Sequence, residues 1–262
     1  MKLFPIFFRF IRHLLHARSR YGHGIHSPFL FAFVSEVTGN AGKRALPAGV
    51  GEMIRRVRKD RTLLETPPIG AGSKVSAKPF RQVGQMARKS SVGPRWGALL
   101  YRLVAFYKPS AVVELGTGLG ISTACLAAGG TMPLVTVEAN SGKCAYAEKL
   151  MQELGFAHVK VIRGTFGDML PELVAAAGEK TLYYIDGNHT REATLQYAGM
   201  ILEKSPGEKI LVLDDINWSE GMNEAWTILK NDPAVTVSVD LFQMGLLIVR
   251  DGMQKAAVNL FF

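Results

Sequence analysis

The sequence predicts an α/β fold, a doubly wound sheet of mostly parallel strands with a helical extension in front. Three observations carry the prediction. Short apolar runs alternate with helical patterns from residue 111 onward, as strands covered on both faces should. One run, Ala111–Gly116, leads into Gly116-Thr117-Gly118-Leu119-Gly120 and then a helix. Glycines at such a turn let the backbone bend tightly and let a ligand approach the main chain, as in the nucleotide crevice of these sheets. The last two runs lie close enough to pair antiparallel.

Taken in order, residues 1–40 read as helix. Phe4, Phe7, Phe8, Ile11, Leu14 and Leu15 recur at three and four, while Arg9, Arg12, His13 and His16 fall elsewhere on the wheel. The pattern breaks over Tyr21–Pro28, where Ser27 before Pro28 is a good helix start. A basic helix is expected over Met53–Arg61. Pro67-Pro68 and Gly70-Ala71-Gly72-Ser73 mark residues 62–80 as loop. Trp96, Leu99, Leu100, Leu103, Val104 and Tyr107 stripe a helix over Arg95–Tyr107.

Strands follow at Ala111–Gly116, Leu134–Ala139, Val159–Gly164, Thr181–Asp186 and Lys209–Asp215, then the hairpin Val235–Leu241 and Gly245–Arg250. Right-handed crossovers bring the parallel strands' C-terminal ends to one edge, where ligands bind. Two domains are expected: a basic, mostly helical extension or cap over residues 1–90, and the sheet domain over residues 91–262.

The 262 residues are 48% hydrophobic, enough for a sizeable core. The net charge of +9 hides an asymmetry. Residues 1–110 carry 20 Lys/Arg against 4 Asp/Glu, and residues 111–262 carry 11 against 18. A basic front half suits an anionic partner or docking on the acidic back half. The apolar start, Met1–Leu15, is broken by Arg9 and Arg12, lacks a small-residue cleavage site and is too short to span a bilayer. It suits an anionic membrane surface, its own domain or a second subunit, so a homodimer and peripheral contact with the inner membrane face are both carried as expectations. Cys125 and Cys144 fit no metal or redox spacing and read as buried thiols of the cytoplasm. His13, His16, His23 and His26 form two H-x-x-H pairs without nearby acids or thiols, so no zinc site is expected there.

The glycine run has the form G-x-G-x-G after Glu114, one residue shorter than the dinucleotide fingerprint. In that form it resembles motif I of the class I S-adenosylmethionine-dependent methyltransferases. The order of features from Val92-Gly93 and Gly97 through Pro109-Ser110 to the glycine loop is similar to that of catechol O-methyltransferases. The front segment, Gly24-Ile25-His26-Ser27-Pro28-Phe29, resembles bacterial methyltransferases of Bacteroidetes type. The resemblance implies a Rossmann-like sheet of order 3-2-1-4-5-7-6 and S-adenosylmethionine as cofactor.

Glu138 ends the second strand 24 positions past Glu114, near the offset at which a carboxylate accepts two hydrogen bonds from a ribose diol. The other cofactor contacts the resemblance implies are Glu114, Gly116, Thr117, Gly118, Gly120 and Ser122 of the loop, with Ala139, Thr165, Phe166 and Asp186 at later strand ends. Strands four and five end in Asp186-Gly187-Asn188-His189 and Asp214-Asp215-Ile216-Asn217. Catechol and caffeoyl-CoA O-methyltransferases bind a divalent cation with an Asp and an Asp-Asn pair there, so Asp186, Asp214 and Asp215 are the expected Mg²⁺ ligands. His189 replaces that family's lysine base and is similar to the Asp-Gly-x-His segment of sugar and macrolide O-methyltransferases. It is the expected base, with Asp186 as its catalytic partner. Trp218 and Met222 are expected either on the acceptor side or in lid packing.

The leading expectation is O-methylation of a small-molecule hydroxyl by in-line displacement, with metal assistance. Two alternatives stay open: an RNA (tRNA) methyltransferase whose basic half tracks phosphates, and a non-catalytic adaptor of methyltransferase fold at a membrane surface.

Overall fold

The computed structural model describes residues 3–17, 27–39, 45–66 and 80–262. The break over Tyr21–His26, His23 itself, and the Pro67-Pro68 and Gly70–Ser73 turns lie outside these residues. In chain order the elements are α1 Leu3–His16, α2 Pro28–Phe33 with a π-helical continuation Val34–Thr38, α3 Ala48–Lys59, β1 Leu63–Glu65, β2 Phe80–Gln82, α4 Val83–Lys89, α5 Pro94–Tyr107 and β3 Ala111–Leu115. They continue as α6 Ile121–Ala127, β4 Leu134–Glu138, α7 Ser141–Glu153, β5 Val159–Arg163, α8 Phe166–Ala175, β6 Lys180–Ile185 and α9 Arg191–Lys204. The chain then forms β7 Glu208–Leu213, α10 Glu220–Leu229, β8 Val237–Asp240, β9 Gly245–Val249 and β10 Ala256–Asn259.

The backbone gathers into two compact units, Asn40–Met169 and Met1–Gly39 with Leu170–Phe262. The fold is mixed α/β with mostly parallel pairing, as expected.

In Asn40–Met169 the parallel strands run in the order β5-β4-β3, with Val113 opposite Val135 and Val137 opposite Ile162. Pro94 starts α5 and packs its buried face, including Leu99, Leu100 and Leu103, into the core. Gly97 must be glycine-sized, because a Cβ there would come within 2.7 Å of the Cys125 sulfur. Burial pushes the Cys125 thiol up to about 12, so it is inert packing. The stretch expected as loop, residues 62–80, holds the three-residue strand β1 and ends as β2 begins, the two paired antiparallel with Leu63 opposite Gln82. The basic helix spans Ala48–Lys59 and ends two residues earlier than expected.

In the other unit the order is β6-β7-β9-β8-β10. The β6–β7 pair is parallel, β9 runs antiparallel to both β7 and β8, and β10 returns parallel to β8. The two runs therefore read 3-2-1 and 4-5-7-6, with one strand added beyond the expected set. Trp226, 1% exposed, stacks where Gly245 leaves room, and its indole N–H donates to Asp240 at 2.8 Å.

The side of α1 that carries His13 docks in this unit. The His13 ring bonds the Leu260 carbonyl at 3.1 Å and faces Asp240 at 3.3 Å, while Phe10 meets Phe242 edge-on at 5.0 Å. Among the described residues, no helix is long and apolar enough to cross a membrane.

Burial works against charge on His13. The hydrogen bond and charge of Asp240, with the Leu260 carbonyl, outweigh it and raise the ring's pKa above 6.5. Burial likewise opposes the Asp240 carboxylate, but His13, the Phe242 amide and Trp226 hold it below its ordinary 3.8. A raised imidazole pKa contributes stability that is fully present below 6.5 and is lost as pH rises through the folded value. The depressed Asp240 value sets the acid limit, where its contribution is lost as pH falls through it. Denaturant melts of wild type and His13→Gln should therefore differ by about 1–3 kcal/mol near pH 6. The gap should narrow as pH rises through the His13 titration, and a gap independent of pH would show that packing alone holds α1.

Candidate active site

The glycine loop between β3 and α6 places Gly116, Gly118 and Gly120 at φ of 114°, 53° and 81°, all in the region that favours glycine. Beneath it lies Glu114, fully buried, whose Oε2 accepts from the hydroxyls of Thr123 at 2.5 Å and Thr136 at 2.6 Å. Thr136 also meets the Thr117 hydroxyl at 2.6 Å, which ties the loop to β4. Glu138, at the end of β4, accepts from the Gly118 amide at 3.0 Å and from the Asn140 amide at 2.9 Å. Lys143 stands 3.7 Å from the same carboxylate. A carboxylate offers about four lone-pair sites, so two remain for a further ligand.

Asn140 caps α7 by accepting from the Lys143 amide at 2.9 Å, and it donates to the Glu65 carbonyl of β1 at 3.2 Å. Ser122 is buried, and Ala139 and Phe166 are half-buried. Thr165 is exposed; its hydroxyl donates to Asp168 at 2.6 Å and accepts the Asp168 amide at 3.3 Å, which caps the start of α8.

The other unit gathers the acids. Asp186 follows β6, and Asp214-Asp215 follow β7. Asn188 and Asp215 take φ of 55° and 56°, a backbone conformation that Asn and Asp tolerate better than other side chains. His189 Nε2 lies 3.5 Å from Asp186 Oδ1. The Tyr184 hydroxyl reaches Asp214 at 3.0 Å and Asp186 at 3.3 Å, and the Asp215 amide donates to Asp214 Oδ1 at 2.8 Å.

Burial, then the charges of Asp186 and Asp215, push Asp214 well above the usual carboxylate range, against the bonds from Tyr184 and the Asp215 amide. Asp215 is raised by burial and by Asp186, partly offset by His189. Burial opposes charge on His189, yet the bond to Asp186 and the three acids outweigh it and raise its pKa above 6.5.

The expected Mg²⁺ ligands Asp186, Asp214 and Asp215 lie close enough to act on one another's charge. Among the described residues, no group of three or more His, Cys, Asp or Glu is arranged to hold a metal ion. The oxygens are turned inward: His189 faces Asp186 Oδ1, Tyr184 takes Oδ2 of both Asp186 and Asp214, and the Asp215 amide takes Asp214 Oδ1. Tyr184 is the residue that sequence reading missed. A buried tyrosine hydroxyl needs a partner, and alternation along β6 sets residue 184 on the same side as residue 186. Met222 is core, 3% exposed and bonded by Thr194, whereas Trp218 stands 67% exposed after the acids.

Comparison with known proteins bears on the stretch that holds both clusters. A family profile described as a methyltransferase domain matches residues 113–216, from β3 through the acids after β7. Over that stretch the chain is similar to methyltransferase domains. Curated relatives share the likeness. The chain is 39% identical over 92 residues to a rat transmembrane O-methyltransferase homolog and 41% identical over 88 residues to the human transmembrane O-methyltransferase. These matches cover 33% and 31% of this chain. They span only 35% and 30% of those relatives' own lengths.

Solved structures with the same methyltransferase fold cover more. A Podospora anserina methyltransferase bound to S-adenosylhomocysteine superposes at a TM-score of 0.60, with 17% identity over 87% of this chain and 100% of its own. A Bacillus cereus O-methyltransferase, also with S-adenosylhomocysteine, gives a TM-score of 0.56, with 19% identity over 83% and 96%.

The glycine loop makes unequal demands on its glycines. A Cβ on Gly118 meets open space and costs only the left-handed backbone, about 1–2 kcal/mol. A Cβ on Gly120 adds contacts of 3.2 Å to Ala147 and 3.3 Å to Met151. Gly120→Ala should therefore lower the unfolding free energy more than Gly118→Ala, by about 1 kcal/mol or more. Equal losses in denaturant titration would contradict this packing.

Proposed function

We propose that this chain is an S-adenosylmethionine-dependent O-methyltransferase of the cytoplasm acting on a hydroxyl of a small molecule. The observation that carries the reading is Glu138. A carboxylate at the end of β4 is fixed by the amides of Gly118 and Asn140 and keeps lone pairs for a ribose diol. Glu114, fully buried, acts here by holding the glycine loop through Thr123 and Thr136.

The base is His189, oriented by Asp186. It accepts the acceptor's hydroxyl proton as the oxygen attacks the sulfonium methyl and S-adenosylhomocysteine leaves. Positioning of the two bound reactants supplies much of the acceleration. Exposed Trp218 offers an aromatic wall for the acceptor. An RNA substrate is the weaker choice, since two of the cations on α3, Arg55 and Arg56, are paired with Glu52 and Glu153.

Magnesium assistance is a second reading, favoured by one observation. Burial and mutual repulsion push Asp214 and Asp215 up, a penalty that a hard divalent ion would relieve. When bound, such an ion would polarise the acceptor hydroxyl. Chelation separates the two readings: turnover survives EDTA under the first, and is lost and restored by added Mg²⁺ under the second.

Transfer of labelled methyl from S-adenosylmethionine to a panel of hydroxylated aromatics tests the proposal. His189→Ala should lower kcat by roughly 10²–10⁴ while leaving the KM for S-adenosylmethionine unchanged. Glu138→Ala should instead raise that KM at least about tenfold, the loss of charged hydrogen bonds. Because the base works deprotonated, kcat should fall as pH drops through the raised His189 titration. Wild-type kcat in the His189→Ala variant would remove the histidine from the reaction.

A further inference from the structure

Helix α1 has two faces, and the catalytic reading uses neither. One docks: His13, 8% exposed, sits between Asp240 and the Leu260 carbonyl, with Phe10 against Phe242. The other is apolar and open. Phe7 is 58% exposed, Phe8 59%, Ile11 38%, Leu14 37% and Leu15 78%. At 3.6 residues per turn these five side chains fall within one arc roughly 120° wide. Arg12, also exposed, stands at its rim.

The patch is on the order of 500 Å², near the upper end of what a monomer exposes in one piece, and such patches mark interaction sites. The docked face fixes the helix, so the open face is held outward and is not free to fold back.

We propose that this face lies on an anionic lipid surface, with α1 in the interfacial plane. Charge chooses the occupant. A helix with an apolar arc, two arginines and no acid along its length is the pattern that anionic headgroups attract. A second copy of the same helix would bring identical cations together. The patch also falls short of the roughly 800 Å² per partner of a stable dimer. Among the described residues no helix is long and apolar enough to cross a bilayer.

Co-sedimentation of the full chain with vesicles tests this. The protein should pellet with phosphatidylglycerol–phosphatidylcholine vesicles at least tenfold more than with pure phosphatidylcholine, and less as salt rises. The double variant Phe7→Asp with Leu15→Asp should lose at least nine-tenths of that binding. Arg12→Glu, which leaves the apolar face whole, should lose several-fold. Absence of binding, equal binding to both vesicle types, or a dimer in sedimentation velocity that the double variant dissociates would overturn the proposal. Methyl transfer to a soluble acceptor should be unchanged in these variants, so failure here is separable from failure of the catalytic reading.

Discussion

A buried carboxylate organises the glycine loop of this protein. Glu114 has no exposure, and its Oε2 gathers Thr123 from α6 and Thr136 from β4, while Thr136 in turn holds Thr117 of the glycine loop. An ionisable group taken out of water is costly unless donors reach it, and here two threonine hydroxyls converge on Oε2. The consequence is a glycine loop held at two adjacent residues, by the Thr117 hydroxyl to Thr136 and by the Gly118 amide to Glu138. Ligand affinity at such a site comes from preorganisation, since the backbone need not be ordered again on binding.

The acid cluster follows a different logic. Asp186, Asp214 and Asp215 repel one another in a partly dry setting, and the structure relieves the strain with Tyr184, a backbone amide and His189. His189 sits in the same negative field, which raises its pKa and favours its protonated form. Carboxylates that would be a liability in a core thus stabilise a neighbouring imidazolium.

Much of this was legible in the chain. The strands β3 to β9 follow apolar runs with boundaries shifted by one or two residues, because strands buried on both faces leave an unbroken hydrophobic signal. Glu138 and the glycines could be placed because their spacing is set by the strand-to-helix turn. Three features escaped. The strands β1, β2 and β10 are too short, or too mixed in composition, to show a period. Tyr184 was hidden inside a strand, where a tyrosine reads as core until its hydroxyl is given a partner. The inward turn of the aspartate oxygens depends on side-chain rotamers and on the left-handed backbone at Asp215, which residue identity does not encode.

The central claim is that the crevice beside β3 and β4 receives a sulfonium nucleoside. Calorimetric titration of the full chain with S-adenosylhomocysteine and, separately, with NADH tests it most directly. The account predicts saturable, one-to-one heat with S-adenosylhomocysteine and none with NADH. Tight NADH binding with no response to S-adenosylhomocysteine would contradict it.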